Sequence, residues 1–501
     1  MKRTRPVQKD CYACTEWNYD WFANDLDEPY TTGKDKPFSW QGRMRLVGGR
    51  TNVWGRHSYR LSDLDFKAAS HDGYGDDWPL GYADLAPYYD LVEEYVGVSG
   101  QAEGVYELPD GRFQPPMAMQ CAEARLRQRV KETLGHTVTM GRVANLTRPL
   151  PGRAACHYCG PCENGCATRS YFNSAFTTVA DAVATGRCTL VTNAMVYKVL
   201  TDDRNRARGV LYIDRTTREP REVGARVVVL CAQALESARI LLNSANERQP
   251  NGLANSSGAL GHYLMDHTSG PAGARAEFPD LPVGPFADGP NRPTGIYVIR
   301  FRNTENGPRT KKFLRGYGFQ GGATTAFDLQ APGFGAAFKQ AARGPRTSFV
   351  FWGYGECLPR FENHVDLDRS MTDVWGIPVL KIHMAWGPNE TAMFPDMAES
   401  AAEMLEVAGA RNIAPYIQAG NDGGDGSPGW AIHEVGVARM GKEPKRSVLN
   451  AFQQTHDMDN LFVMDGSGFV SSACQNPTLT IMALAVRSTD YLLEELRKGN
   501  L

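Results

Sequence analysis

Twice in this chain a short apolar run passes through a turn directly into an amphipathic stretch with helical spacing. In VVVLCAQALESARILLNS, residues 227–230 read as a buried strand entering a helix. In NLFVMDGSGFVSSACQNPTLTIMALAV, the order is strand, glycine turn, loop and helix, with Asn476 placed as the helix cap and Pro477 at its first position. The text around these units has other grammars. CTLVTNAMVYKVLTDDRNRARGVLYIDR predicts a β-meander, and DWPLGYADLAPYYDLVEEYVGVSG a helix with Leu85, Tyr88, Tyr89, Val92 and Tyr95 at helical spacing. Between residues 270 and 420 the runs TSFVFWGYG and WGIPVLKIHMAW suggest a sheet that walls a cavity. The fold class that follows is α/β with an α+β admixture. At 501 residues and 42% hydrophobic content there is material for two interleaved domains, and no fixed-period repeat points to a solenoid.

A formal net charge of -2 gives no electrostatic reason to expect nucleic acid or an anionic membrane as partner. No stretch approaches the roughly 18 consecutive apolar residues of a membrane span. As written the chain reads as cytoplasmic; a periplasmic location would need a signal lying elsewhere or carried by a partner. Eleven cysteines are too few for a disulfide scaffold, yet four fall between positions 156 and 166. The spacing Cys156-x2-Cys159-x2-Cys162-x3-Cys166 is that of bacterial ferredoxin ligands, with Ala167 where a proline usually follows. Tetrahedral zinc and disulfides are the competing readings, and His157 reads as a bystander.

The segments GGRTNVWG, PYYDLVEEYVGVSG, VVVLCAQALESARILLNS, HEVGVARMG, NLFVMDGSGFV and QNPTLTIMALA resemble, in content and order, those of glucose-methanol-choline (GMC) oxidoreductases. The likeness is nearest to bacterial sugar and gluconate dehydrogenase large subunits and pyranose oxidase. It implies an interrupted FAD-binding, Rossmann-like domain at 1–269 and 421–501, carrying a cysteine insertion at 151–170. A substrate domain at 270–420 would be built on a mostly antiparallel sheet. The expected activity is oxidation of a sugar or glycoside hydroxyl by hydride transfer to non-covalent FAD, with electrons passed to a cytochrome or small accessory subunit. An oxygen-using oxidase is the alternative within the class, and a non-catalytic iron-sulfur remnant lies outside it.

Alcohol oxidation needs a base for the hydroxyl proton and a polar group to hold the hydroxyl, roles that histidine and an amide serve. His433 and Asn476 take them in the resemblance. For the flavin it implies contacts from Gly48, Gly49, Arg50, Thr51, Asn52, Val53, Trp54 and Gly55, whose glycines permit close backbone approach. Val196, Cys231 and Ala232 fall at the adenine end, Asp465 and Gly466 near the ribityl and pyrophosphate, and Pro477 and Thr478 at a helix mouth beside the ring. Asn52-Val53 stands where several relatives carry a flavin-bonding histidine, and His57 reads as structural. The strand, G-x-G-x-x-G turn and helix that open such chains are not found in this sequence; GNDGGDGSPG at 420–429 follows no strand. The 501 residues alone are therefore expected to bind flavin poorly and to aggregate.

Overall fold

Alternation along two neighbouring strands decides where the catalytic space opens. The computed structural model describes residues 3–33, 37–281, 291–305, 307, 309–327, 333–342, 345–418 and 426–501. Its largest sheet has six strands in the order Arg411–Ile417, Thr268–Glu277, Pro345–Gly355, Tyr317–Phe327, Ile296–Val298, Val138–Met140, every pair antiparallel. Successive side chains leave a strand on opposite faces. Phe319, Phe349 and Phe351 thus share the face covered by the helix Pro388–Val407, whose Asp396 and Ser400 bond the Tyr317 hydroxyl. Gly355 lets that helix pack closely, since a Cβ there would lie 2.6 Å from Met393 Sδ and from Met397 Cε, which would have to move. The opposite face carries Gln320, Trp352 and Tyr354, with Trp352 directly across from Gln320.

The sheet does not stop at the boundaries read from sequence: Val138–Met140 joins it from far upstream, and Thr268–Glu277 begins before residue 270. WGIPVLKIHMAW belongs to a separate three-stranded sheet, in which Pro378–His383 lies between His364–Thr372 and the parallel strand Thr31–Thr32. Most of the glycine-rich run at 420–429 falls outside the described residues.

The two strand-to-helix units pair with each other. Val228–Leu230 and Leu461–Val463 form a parallel ladder, Leu461 opposite Val228 and Val463 opposite Leu230. Both strands therefore end at the same edge, and both chains turn there: one at 231–233 into the helix Ala234–Asn243, the other at 464–466 toward the helix Thr478–Lys498. That edge is where open α/β sheets bind ligands. The meander Ala194–Thr201, Ala207–Asp214 and Pro220–Gly224 is antiparallel. In the helix Tyr82–Val96, Leu85, Tyr89 and Val92 are buried, whereas Tyr95 is exposed.

Candidate active site

His433 stands where the edge of the parallel pair, the Gln320 face of the large sheet and the start of the last helix converge. Met265 and Val435 exchange both backbone hydrogen bonds, 3.0 Å each, and so lay residues 266–267 beside 433–434. Asp266 is fully buried and organises the crossing. Its Oδ1 accepts the backbone N–H groups of His433 (3.0 Å) and His267 (2.9 Å), and its Oδ2 that of Gly429 (2.9 Å). Burial and the nearby Glu434 push its carboxyl up to about 7 against the pull of those three donors.

A chain of hydrogen bonds fixes which His433 nitrogen is free. Gln320 Nε2 donates to Asn476 Oδ1 at 2.6 Å, which turns the Asn476 amide nitrogen toward His433 Nε2, 3.3 Å away. An amide nitrogen only donates, so Nε2 of His433 presents a bare lone pair. The single proton of the neutral ring then sits on Nδ1, which donates to His267 Nδ1 at 3.1 Å. His267, neutral and accepting at Nδ1, carries its own proton on buried Nε2, which has no hydrogen-bond partner among the described residues. Burial holds His267 down at about 4, and holds His433 well below the ordinary imidazole value. For His433, the charges of His267, Arg50 and His57 add to burial. Both rings are neutral at pH 7. Tyr354 closes one side, its ring centroid 6.3 Å from that of His433.

Glu434 ties this centre to the glycine segment. Its buried carboxylate meets Arg50 Nη1 at 2.6 Å and Gln233 Nε2 at 3.2 Å, while Gln233 Oε1 accepts Leu235 N–H to cap the helix Ala234–Asn243. Gly48 and Gly49 have φ of +91° and +50° and lead into one 3-10 turn, Gly49–Asn52. The turn is pinned from residues 171–174: the Tyr171 hydroxyl donates to Asn52 O, Asn173 Nδ2 to Asn52 Oδ1, and Thr51 Oγ1 meets Ser174 Oγ at 2.9 Å. Trp54 Nε1 donates to Phe172 O. Residues 48–52, 54 and 55 stay partly exposed, as does His433, while the Val53 side chain is buried against Cys11, Cys14 and Phe22. At the far edge, Asp465 Oδ2 accepts the Ser237 hydroxyl, joining Asp465 and Gly466 to the turn at Cys231 and Ala232. Val196 lies half-buried against the helix Ala234–Asn243.

Two sequence models described as GMC oxidoreductase match residues 29–269 and 359–485. A 2-methyl-1,2-propanediol dehydrogenase of Mycolicibacterium austroafricanum is 32% identical, over 95% of this chain and 85% of that protein. The chain belongs to the GMC oxidoreductase family. The fructose dehydrogenase large subunit of Gluconobacter japonicus is 27% identical over 93% of this chain and 84% of its own length. Pyridoxine 4-oxidase from Mesorbium loti shares the fold, with a TM-score of 0.58 and 18% identity over 90% of this chain and 84% of that one. The GMC chain is accordingly an oxidoreductase acting on CH–OH groups.

GMC oxidoreductases bind FAD, and the residues here fit it. A Cβ added at Gly49 would meet nothing within 4 Å, so space lies open over the turn. Arg50, Trp54 and His433 are each partly exposed. The helix Thr478–Lys498 starts beside Asn476, with first-turn N–H groups that have no intrahelical partner. Asn476 does not cap that helix. Its side chain is committed to Gln320 and His433, and Pro477 takes the cap position without a side-chain bond.

The cysteine run gains no metal role. Among the described residues, the one group of three or more ligand-type side chains whose donor atoms lie within 4.8 Å of one another is His364, Asp366 and His383. Cys156, Cys159, Cys162 and Cys166 are free thiols and form no such group: Cys159 is exposed and Cys162 buried. The iron-sulfur expectation is left without support. The loop holds its shape by other means. Arg153 donates to the carbonyls of Val96, Arg169 and Ser170, and Asn18 Nδ2 donates to Glu163 O. Asp266, His267, Gln320 and Glu434 were not foreseen. The adjacent acid and imidazole in LMDHTSG, just before a strand, were the available signal.

Proposed function

We propose that this chain oxidises a secondary hydroxyl of a sugar or glycoside and passes the electrons to a protein or small-molecule carrier. The observation that carries the reading is the bare Nε2 of His433 beside the Asn476 amide nitrogen, 3.3 Å apart and oriented by Gln320. A substrate hydroxyl seated between them donates its proton to His433 Nε2 and accepts from Asn476 Nδ2. Bound FAD supplies the acceptor for the hydride that leaves the carbon. His267 accepts from Nδ1 and so keeps the His433 lone pair on Nε2, while burial keeps the ring neutral and ready to take the proton. Arg50, held by Glu434, would place a guanidinium where it could stabilise the negative charge that reduced flavin carries.

A fructose dehydrogenase large subunit and a gluconate 2-dehydrogenase flavoprotein among the relatives support both the sugar substrate and a carrier, such as a cytochrome on a partner subunit. The diol dehydrogenase supports a small vicinal diol as the second substrate reading, and C-glycoside 3-oxidases support oxygen as the second acceptor. No helix among the described residues is long and apolar enough to cross a membrane.

The test is turnover of a panel of monosaccharides, glycosides and short diols, with a dye acceptor under argon and with oxygen alone. Dye reduction with a sugar, without oxygen uptake and lost in His433→Ala, is the expected result. Peroxide formation at comparable rate would replace the dehydrogenase by an oxidase. Turnover of diols alone would remove the sugar.

A further inference from the structure

On the three-stranded sheet, His364 and His383 face each other across the antiparallel ladder between His364–Thr372 and Pro378–His383. Their rings lie parallel within 9°, centroids 4.4 Å apart. Asp366, two residues along, shares their face, and its Oδ1 is 3.5 Å from His383 Nε2. That nitrogen is buried and makes no hydrogen bond. The donor atoms of the three residues all fall within 4.8 Å of one another.

We propose that His364, Asp366 and His383 form a binding site for one divalent transition-metal ion of the zinc type. The spacing between Asp366 and His383 suits a shared ion better than direct contact. A 3.5 Å gap is too long for a good hydrogen bond, yet ligands about 2.1 Å from a tetrahedral ion stand about 3.4 Å apart. The His364 tautomer is also set for coordination. His364 Nδ1 donates to Glu362 O at 2.9 Å, leaving Nε2 as a bare ligand atom. A backbone carbonyl behind the ring is the usual outer support of a metal-bound histidine. His262, bridged to His364 along the next chain segment, is held in the same tautomer by Phe361 O at 2.8 Å. Two imidazoles and one carboxylate select zinc, cobalt, nickel or copper over magnesium or calcium. Lys381 sits opposite Asp366 in the ladder and opposes a cation there.

The site clips three segments together, because Val365 N–H bonds Gly261 O and Leu264 N–H bonds Asn363 O. Through residues 261–267 it supports the stretch that ends in Asp266 and His267.

The experiment titrates the chelator-treated, flavin-loaded full chain with Zn2+, and separately with Co2+, whose spectrum separates nitrogen and oxygen ligands from thiolates. The expected result is one equivalent per chain with no thiolate band and a rise in Tm on binding. That equivalent is absent in His364→Ala/His383→Ala, weakened at least about tenfold in the exposed-site variant Asp366→Asn, and tightened in Lys381→Met. Equal binding by wild type and the double variant would overturn the site. So would a spectrum carrying only thiolate bands, which assigns the metal to the cysteines. Tm of each variant without metal checks that the fold is kept.

Discussion

Replacing His267 with alanine leaves the base itself untouched and removes only what holds its tautomer. The variant strips His433 Nδ1–H of its acceptor, 3.1 Å away in a buried place. An unsatisfied buried donor costs about 1–3 kcal/mol, so the ring shifts toward the form protonated at Nε2, which has no lone pair for the hydroxyl. At about 1.4 kcal/mol per factor of ten, the productive tautomer and kcat/KM fall by about 5- to 150-fold. His433→Ala, which deletes the base, should lose about 100- to 10,000-fold. The decisive assay is the double variant: if His267 acts through His433, combining the two losses adds nothing to His433→Ala alone. His267→Asn, whose Oδ1 can accept from Nδ1, should recover part of the rate. Steady-state rates with a dye acceptor, normalised to bound flavin and read beside Tm, make the comparison. A loss under about twofold in His267→Ala, or a double variant showing the full product of the two losses, would refute the tautomer argument.

Gln320→Met should free the Asn476 amide and lower kcat/KM by about tenfold, and, by leaving the buried Asn476 Oδ1 without its donor, should cost about 1–3 kcal/mol of stability read as a lower Tm. Arg50→Met leaves the fully buried Glu434 carboxylate without its partner and should cost about 3–5 kcal/mol in urea unfolding, much of it recovered in Arg50→Met/Glu434→Gln. Because burial holds His433 well below the usual value, its neutral form is fully present at neutral pH. The acid limb of kcat/KM should therefore lie below about pH 6.5, and a limb above that value would contradict the burial argument. Asp266 is raised to about 7 in the fold, so it favours the folded state at acid pH, an advantage lost as pH rises through that value. The Tm difference between Asp266→Asn and wild type should then move in the variant's favour from about pH 5 to about pH 8.

What could be read in the chain was what local chemistry writes. The strand-to-helix units, the meander and the glycine turn at 48–55 depend on neighbours a few residues away, and they stand where periodicity and turn residues put them. His433 and Asn476 were legible through their order among those units, and the structure places them in contact. Gln320 was not, because a glutamine on a glycine-rich strand has no meaning until that strand lies across from Trp352 and beneath the last helix. The Asn476 cap failed for a related reason: a tertiary partner, Gln320, outcompeted a local one. The cysteine spacing is legible in the sequence, but a spacing alone does not say whether the loop closes around an ion, and the iron-sulfur expectation is left without support; the loop's Arg153 bonds three backbone carbonyls.

Residues 50, 233, 266, 267, 320, 433, 434 and 476 meet in one centre, although the contacts that join them span from 43 to 384 residues of chain. Each contact closes a long loop, and such closures come late in folding because their entropy must be met before any of them is rewarded. Recovery of turnover during refolding should thus trail recovery of helical signal, and catalytic rate reports completion of the whole chain, not of any one domain.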